Sequence, residues 1–526
     1  MSSTGGQSRS CPEATRRRRR GAPSLAFRGA LLLALVPGIA LMNGCGLVEW
    51  ITNGFEVGPD YVEPDVSTAP QWIDYQDSRV KAEPADLSSW WKMLGDPALD
   101  SLVEKVLAQN LTLRAAAERI ANSRAQKNVA FGNLFPQEQY AFGDLSYNHA
   151  SEETANPPLD DSFTSWDLGG AIAWELDFWG KYRRALQAAE AELDASVANY
   201  DDIVVLLLSE VAANYVLCRT YQERLSFVRA NVEIQRKSFE IVQDKFKAGA
   251  ATERDTHMAR QILEESQARI PELEAGLRQA QNALCLLQGI PPRDLSDVLG
   301  NEGKIPQVQP QVALGIPADL VRRRPDVRRA ERIVAAQSAL IGVAKSDFYP
   351  HLSVLGSIGF QAEHLSHLFT SDAITGSIGP SFRWDVLHYG RILNTVRAQE
   401  ASFREAALAY QEAVLRAGKE AEDSVEAFLK AQEKAASLAE SAKAATRVVE
   451  ITLDQYQQGA VDYMWVCYFM DKETDQEDRL AAARGEIALN MIAVYRSLGG
   501  GWETRLAGAK DAGAAPGGAS APKQDG

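Results

Sequence analysis

The sequence has few of the residues on which most enzyme and metal sites depend. Its 526 residues include five cysteines, six histidines and seven methionines. No two cysteines have the spacing of a zinc or redox motif, and neither a phosphate-binding loop nor a paired nucleophile and base is visible. We therefore expect no catalytic residue, no cofactor and no metal, and the chain is not predicted to be an enzyme.

Basic residues are too few for a protein that binds nucleic acid. The formal net charge is −15, and residues 1–44 hold seven arginines and one glutamate. Without this stretch the chain has 48 basic and 69 acidic side chains, a net charge of −21. Because phosphate backbones are bound through an excess of positive charge, this balance disfavours nucleic acid as a partner.

The N-terminus has the pattern of an export signal. Arginines at 16–20 precede an apolar stretch, residues 30–42, which is short for a helix that spans a bilayer. Gly44 and Cys45 follow directly, and a small residue before a cysteine is typical here of a bacterial lipoprotein signal. We expect residues 1–44 to be removed and Cys45 to be acylated; a plain signal peptide or an uncleaved segment are the alternatives.

Proline is absent from residue 159 to residue 270, so nothing there forces a helix to break. Within this stretch, residues 180–249 carry apolar side chains at a seven-residue step, which indicates a helix packed along its whole length against other helices. Such a helix is about 100 Å long. The step is kept by Val204, Val211, Cys218, Leu225, Val232, Phe239 and Phe246.

The long helix occurs twice, which indicates internal duplication. A shift of 210 residues converts Trp174 into Trp384 and Gly180 into Gly390. It also converts Gly249 into Gly459, and each of these two glycines is expected to end its helix in a left-handed turn, after which the chain doubles back. The second seam is Val414, Ala421, Phe428, Ala435, Ala442, Val449 and Tyr456.

Alternating polar and apolar residues precede each long helix. Ten or more residues of this alternation, with aromatic ends, are typical of transmembrane β-strands. In the first segment Tyr140 and Phe142 fit the apolar face, although Glu138 and Asp144 share it. A soluble sandwich with one wet face is the alternative. The segments are residues 137–148, 166–176, 352–362 and 374–386, and the aromatic side chains expected at the membrane interface are Trp174, Trp384 and Tyr389.

Four strands cannot close a barrel, and an open sheet edge is not tolerated in lipid. Single-chain bacterial barrels begin at eight strands, so several copies of this chain must share one barrel. The expected fold class is therefore a mixed α+β membrane protein, in which a long α-helical barrel continues into a β-barrel and both close only on association.

The chain divides into six segments on this basis. After the signal, residues 45–97 form an extended N-terminal segment, and residues 98–289 form the first repeat, which opens with one helix from Ala98 to about Asn133. Residues 290–325 are a proline-rich crossover, residues 326–502 the second repeat, and residues 503–526 a tail expected to be disordered.

Several motifs resemble those of TolC-like outer membrane factors, in the lipoprotein branch of OprM- and NodT-like efflux proteins. The resemblance covers residues 45–502 and rests on the set rather than on any one motif. The motifs are residues 57–64, Trp90-Trp91, Asp96-Pro97, Phe135-Pro136, residues 316–320, residues 324–327, Ala330-Glu331 and residues 498–502.

The resemblance implies a homotrimer with twelve strands in the outer membrane and twelve helices in a periplasmic tunnel. It also implies a periplasmic adaptor and an inner-membrane pump, commonly of the resistance–nodulation–division type, as partners in small-molecule efflux, besides outer membrane lipid. Export of proteins by a type I system is the alternative within the channel class. A lipid-anchored periplasmic coiled-coil scaffold is the alternative of another class.

In that family acidic residues just beyond the second tip glycine close the tunnel mouth. The usual acidic position is Tyr468 here, so the gate does not transfer residue by residue. Asp462 is the first candidate and Asp471 the second; ordinary charge at a solvated helix tip is the alternative. Trp465 either plugs the mouth or meets a partner protein. Arg254 and Asp255 are further candidates, on the first tip.

Overall fold

Two copies of one structural unit make up most of the chain in the computed structural model, which describes residues 50–81, 83, 87–149, 162–315, 317 and 323–505. The predicted signal, Cys45 and most of the motif at 316–320 lie outside these residues. Helix α1 (Pro97–Gln109) comes first. The first unit is α2 (Leu111–Gly132), β1 (Glu138–His149), β2 (Ser162–Leu176), α3 (Lys181–Lys247) and α4 (Glu253–Leu287); the second is α5 (Pro325–Ser346), β3 (His351–Ala362), β4 (Ile374–Arg383), α6 (Arg391–Gln457) and α7 (Tyr463–Ser497).

The helices of the two units match in length. Helices α2 and α5 have 22 residues each, α3 and α6 have 67, and α4 and α7 have 35. The predicted seams are buried over most of their length in both copies, as Val211 and Cys218 of α3 and Ala421 and Phe428 of α6 show, but Phe246, the last residue of the first seam, is exposed. One stretch of α3 is apolar enough to cross a membrane, but 67% of it is buried inside the protein, so its apolar residues serve helix packing.

The single helix predicted from Ala98 to Asn133 is wrong, because Asn110 interrupts it. This residue has an extended backbone, with φ −60° and ψ 127°, and so it cannot continue α1. Its side-chain oxygen accepts a hydrogen bond from the backbone N–H of Leu113 at 2.9 Å, which begins α2. Its side-chain nitrogen donates to the carbonyl of Leu287 at 2.8 Å and ties this break to the end of α4.

The four predicted strands form one antiparallel sheet in the order β1, β2, β3, β4. Strands β2 and β3 join the two units, with Trp174 opposite Val354. Strand β4 ends at Arg383, three residues before the predicted end. Trp384 lies just beyond it, where its indole N–H donates to the carbonyl of Phe348 at 3.0 Å.

The assignment of Tyr140 and Phe142 to the apolar face is wrong. Phe142 lies opposite Gly169 and Asp144 opposite Asp167, so even-numbered residues of β1 share a face with the odd-numbered residues of β2, which include Ser165 and Asp167. Strand pairing shifts the phase of β1 by one residue, and a shift of one residue moves every side chain to the other face. The conflict at Asp144 disappears, because this carboxylate lies on the polar face.

The N-terminal segment and the crossover pack together around the middle of the long helices. Val80–Lys81 pairs in parallel with Val312–Ala313. Asp96 caps α1 by accepting a hydrogen bond from Ala98 N–H at 2.9 Å, and it also accepts hydrogen bonds from Tyr215 and Arg219 of α3. Burial opposes ionisation of Asp96, but these hydrogen bonds and the Arg219 charge outweigh it and lower the pKa of the carboxyl group.

Residues 503–505, which were expected to belong to a disordered tail, have described positions. The guanidinium of Arg505 forms two hydrogen bonds with the carboxylate of Asp201, at 2.6 and 3.0 Å, and Asp201 is fully buried in α3. The charge of Asp201 therefore has a partner from the C-terminal segment. The rest of the predicted tail lies outside the described residues.

Candidate functional site

The tip of each helical hairpin is built around a glycine, as predicted. Gly249 has φ +75° and Gly459 has φ +73°, a left-handed conformation that side chains disfavour. The amide of Gly459 donates to the carbonyl of Tyr456 at 3.0 Å, and the amide of Ala460 donates to that of Gln455 at 2.8 Å. This pair of bonds is the Schellman arrangement that ends a helix and reverses the chain.

The first tip is polar, and the carboxylate of its acidic candidate, Asp255, is engaged in hydrogen bonds. Thr252 and Asp255 form a capping box: the Asp255 carboxylate accepts from Thr252 N–H at 3.0 Å, and Thr252 Oγ1 accepts from Asp255 N–H at 3.3 Å. Burial opposes ionisation, but the Thr252 hydrogen bonds lower the pKa of Asp255. Asp255 is 8% exposed, whereas the neighbouring candidate Arg254 extends into solvent.

The second tip is aromatic. One face of α7 is buried against the other tip helices through four residues at helical spacing. They are Tyr463, Val466, Cys467 and Met470. The outer face carries Trp465, 45% exposed, and Tyr468, 50% exposed, with ring centroids 6.1 Å apart. Phe469 stacks on Trp465 at 5.9 Å. Exposed aromatic side chains grouped in this way mark the tip as a candidate contact surface.

The two acidic candidates of the second tip lie in different surroundings. Asp462 is the N-cap of α7 but its exposed side chain forms no cap hydrogen bond. Asp471 lies about two and a half turns further on. It pairs with Arg269 of α4 at 3.4 Å and with Lys472 at 3.7 Å. Along α7, Trp465 and Tyr468 therefore lie between the carboxylate of Asp462, which makes no cap hydrogen bond, and that of Asp471, which joins the two hairpins.

The sheet separates two chemically different faces. Leu168, Ile172, Ile358, Ile378 and Phe382 lie on the even-numbered face of β2, β3 and β4, and all are exposed in the single chain. The odd-numbered face is polar: Ser165 donates to Asp167 at 2.7 Å, and Gln361 lies 3.4 Å from Ser165. One apolar and one hydrated face is the pattern of a sheet that separates lipid from water.

Sequence reasoning missed the residues that join sheet and helices. Trp179, between β2 and α3, stacks on Tyr349 with ring centroids 4.4 Å apart, and its indole N–H donates to the carbonyl of Pro350 at 2.9 Å. Trp50 of the N-terminal segment also contacts Trp179, with ring centroids 5.3 Å apart. The duplication contained a signal for this contact, since Trp179 and Tyr389 occupy equivalent positions.

Comparison with known proteins agrees with this architecture. The family described as outer membrane efflux protein matches residues 102–289 and 316–500. The chain belongs to this family. Nodulation protein T of Rhizobium leguminosarum bv. trifolii is 28% identical over 78% of this chain and 86% of its own length. The pyoverdine export outer membrane protein OpmQ of Pseudomonas putida is 26% identical over 84% of this chain and 94% of its own.

A solved structure gives the same fold. The outer-membrane channel OprN superposes with a TM-score of 0.80 at 31% sequence identity, covering 85% of this chain and 99% of that one. The protein is thus an outer membrane efflux channel whose long helices extend into the periplasm. OpmQ is named for export and OprN as a channel. Among the residues with described positions, no group of three or more His, Cys, Asp or Glu side chains has the arrangement of a metal site.

Proposed function

We propose that this chain, as a homotrimer, forms a passive exit duct for small molecules delivered by a periplasmic adaptor and an inner-membrane pump of the resistance–nodulation–division type. One observation carries the proposal: a four-stranded sheet with an apolar face and two unpaired edges leads directly into 67-residue helices. Helices of this length extend about 100 Å, far enough to reach deep into the periplasm.

Closure of the sheet requires other copies. In the described chain β1 and β4 each pair on one side only, and unpaired backbone groups are costly in lipid. Three copies supply twelve strands. The exposed apolar face argues against the alternative of a water-soluble coiled-coil scaffold, because Ile358, Ile378 and Phe382 would then be left in water.

The position of the N-terminal segment supports a lipid anchor at Cys45. Trp50, five residues later, packs against Phe178 and Trp179, where the sheet meets the long helices. Trp174 and Trp384 lie at the same level, each with its indole N–H bonded to a backbone carbonyl. A band of tryptophans is typical of the membrane–water interface, so an acyl chain on Cys45 would begin at the height of the lipid head groups.

The relatives favour small molecules over proteins as cargo, since OpmQ is named for pyoverdine export.

The gate is formed by the second tip. Trp465 and Tyr468 from three copies converge on the mouth and close it through ring contacts, with Asp462 beside them. Asp471 holds α7 to α4, and Asp255 serves the fold of the first tip. Arg254 is left as a contact for the adaptor.

Single-channel recording of the purified protein in planar bilayers tests the proposal. We expect three chains per channel and low conductance in the wild type, because the mouth is closed without partners. Trp465→Ser and Tyr468→Ser should raise the open probability several-fold. His257→Ser, an exposed change on the first tip, should leave it unchanged. Failure of the protein to conduct at all, even with both aromatic rings removed, would overturn the channel assignment.

A further inference from the structure

The contact of Trp179 fastens the first unit to the second. Its ring stacks on Tyr349, its N–H bonds to Pro350, and two residues later Lys181 Nζ lies 3.0 Å from Asp347 Oδ1. All three partners lie at the end of α5 and the start of β3. The strand-to-helix connection of one unit is thus fixed to the helix-to-strand connection of the next.

The duplication identifies the equivalent residues of this contact. A shift of 214 relates α2 to α5, and a shift of 210 relates α3 to α6, with equal lengths in each pair. A hydrogen bond inside each unit verifies both shifts. Trp174 donates to Leu134 O at 3.3 Å, and Trp384 donates to Phe348 O at 3.0 Å. The counterparts of Trp179, Lys181, Tyr349, Pro350 and Asp347 are Tyr389, Arg391, Phe135, Pro136 and Asn133.

Within one chain these counterparts do not meet. Tyr389 is 96% exposed and Phe135 is 54% exposed. The sheet order explains the separation, because β1 follows Phe135 at one edge and β4 precedes Tyr389 at the other. The helices show the same imbalance. Helix α5 packs against both α3 and α6 and buries eleven residues, whereas α2 packs against α3 and buries two.

We propose that Tyr389 docks on Phe135 and Pro136 of a neighbouring copy, with Arg391 beside Asn133, and so repeats between chains the contact that Trp179 makes within one. The inference deepens the proposed trimeric duct, on which it rests. It gives Tyr389 a protein partner in place of the lipid interface expected from the sequence. It also places α2 of one copy against α6 of the next.

The substitutions make the contact between copies different from the one within a chain. Tyrosine keeps the ring for stacking but lacks the indole N–H that reaches the proline carbonyl. Asparagine at 133 removes the negative charge that Asp347 offers to Lys181. The contact between copies therefore depends on ring stacking and on a hydrogen bond from the Arg391 guanidinium to an uncharged amide. Because it lacks an ion pair, it should be less sensitive to salt.

Cross-linking of the full-length protein in membranes tests the docking. The double variant Tyr389→Cys and Phe135→Cys, treated with a short bismaleimide, should give two- and three-chain species on denaturing gels. The matched pair Tyr389→Cys and Asn128→Cys, with the second cysteine two turns earlier on α2, should give monomers only. The described native cysteines 218, 285 and 467 are buried, so they do not compete.

Cross-links at Asn128 but not at Phe135, in a protein that still forms conducting trimers, would overturn this inference and leave the channel intact. Loss of trimers and conductance in the wild type would instead overturn the proposed function. An electrostatic variant gives an independent readout. Asn133→Asp should slow dissociation of the trimer about two- to five-fold at low salt, and the gain should vanish with Arg391→Ala. An unchanged rate would contradict the placement of Arg391 beside residue 133.

Discussion

The two repeats have helices of identical length, yet they differ at several positions where side chains do more than pack. The first tip is polar and closed by a capping box, whereas the second carries exposed Trp465 and Tyr468. Helix α5 is covered on two sides and α2 on one. Duplication thus preserved the scaffold, while individual contacts diverged according to what each copy meets.

This divergence is clearest in a hydrogen bond that occurs at equivalent positions of both repeats but is donated by different residues. The carbonyl that ends the first return helix, on Leu287, accepts from the Asn110 side chain at 2.8 Å. The equivalent carbonyl, on Ser497, accepts from the Arg324 guanidinium at 3.0 Å. Arg324 also pairs with Asp326 at 2.7 Å and Glu420 at 2.8 Å, so the second copy has an ionic network around the buried Arg324 guanidinium where the first has a neutral side chain.

The largest expected effect is at Arg324. Arg324→Ala removes a 9%-exposed side chain and leaves two carboxylates without their cation, so we expect the free energy of unfolding to fall by about 3 kcal/mol. Thermal unfolding in detergent, followed by circular dichroism, measures the loss. A loss of stability no larger than that caused by Asn110→Ala would show that the contacts of Arg324 and Asn110 contribute equally.

The next effect concerns Gly342 of α5, where the N-terminal segment crosses the helix. A Cβ at this position would lie 2.7 Å from the backbone oxygen of Val57, so Gly342→Ala should cost about 2 kcal/mol and displace the segment. The equivalent residue of α2 is Asn128, which is exposed. Asn128→Ala should change the stability by less than about 0.5 kcal/mol. Equal melting temperatures for the two variants would contradict the packing.

Asn110→Ala should have a moderate effect. It removes both the cap of α2 and the bond to Leu287, and we expect a loss of about 1.5 kcal/mol. Hydrogen exchange should increase at the start of α2 and the end of α4, while α5 and α7 stay protected. Increased exchange in all four helices would show that the repeats unfold together rather than separately.

The smallest expected effect concerns Asp96, which makes the stability of the first repeat, but not that of the second, depend on pH. The residues of the second copy equivalent to Tyr215 and Arg219 are the buried, apolar Val425 and Leu429. A carboxyl group with a lowered pKa stabilises the fold above its ordinary value of 3.8, and this contribution is lost as the pH falls through the lowered pKa.

Asp96→Asn should therefore reduce stability by about 1 kcal/mol at neutral pH, and the difference from the wild type should fade in acid. Melting temperatures between neutral pH and pH values below the lowered pKa measure this convergence. Glu104→Gln, an exposed change on the same helix, serves as the control. A difference that stays constant with pH would show that the Asp96 charge is not involved.

Sequence periodicity predicted the long helices and their tips because a seven-residue step and a glycine are local signals. It predicted the strands for the same reason, but it assigned Tyr140 and Phe142 to the wrong face, since the phase of β1 depends on its pairing with β2. The break at Asn110 escaped prediction because one side chain serves both the cap of α2 and a distant carbonyl. The role of Trp179 depends on the other repeat and is invisible in either one alone.

Electron cryomicroscopy of the full-length protein in a lipid nanodisc would show directly whether three copies share one barrel. We expect a threefold particle in which β4 of each copy pairs with β1 of the next, so that twelve strands close one barrel above a hollow helical shaft about 100 Å long. A monomeric particle, or an oligomer in which those two edges stay unpaired, would contradict this expectation.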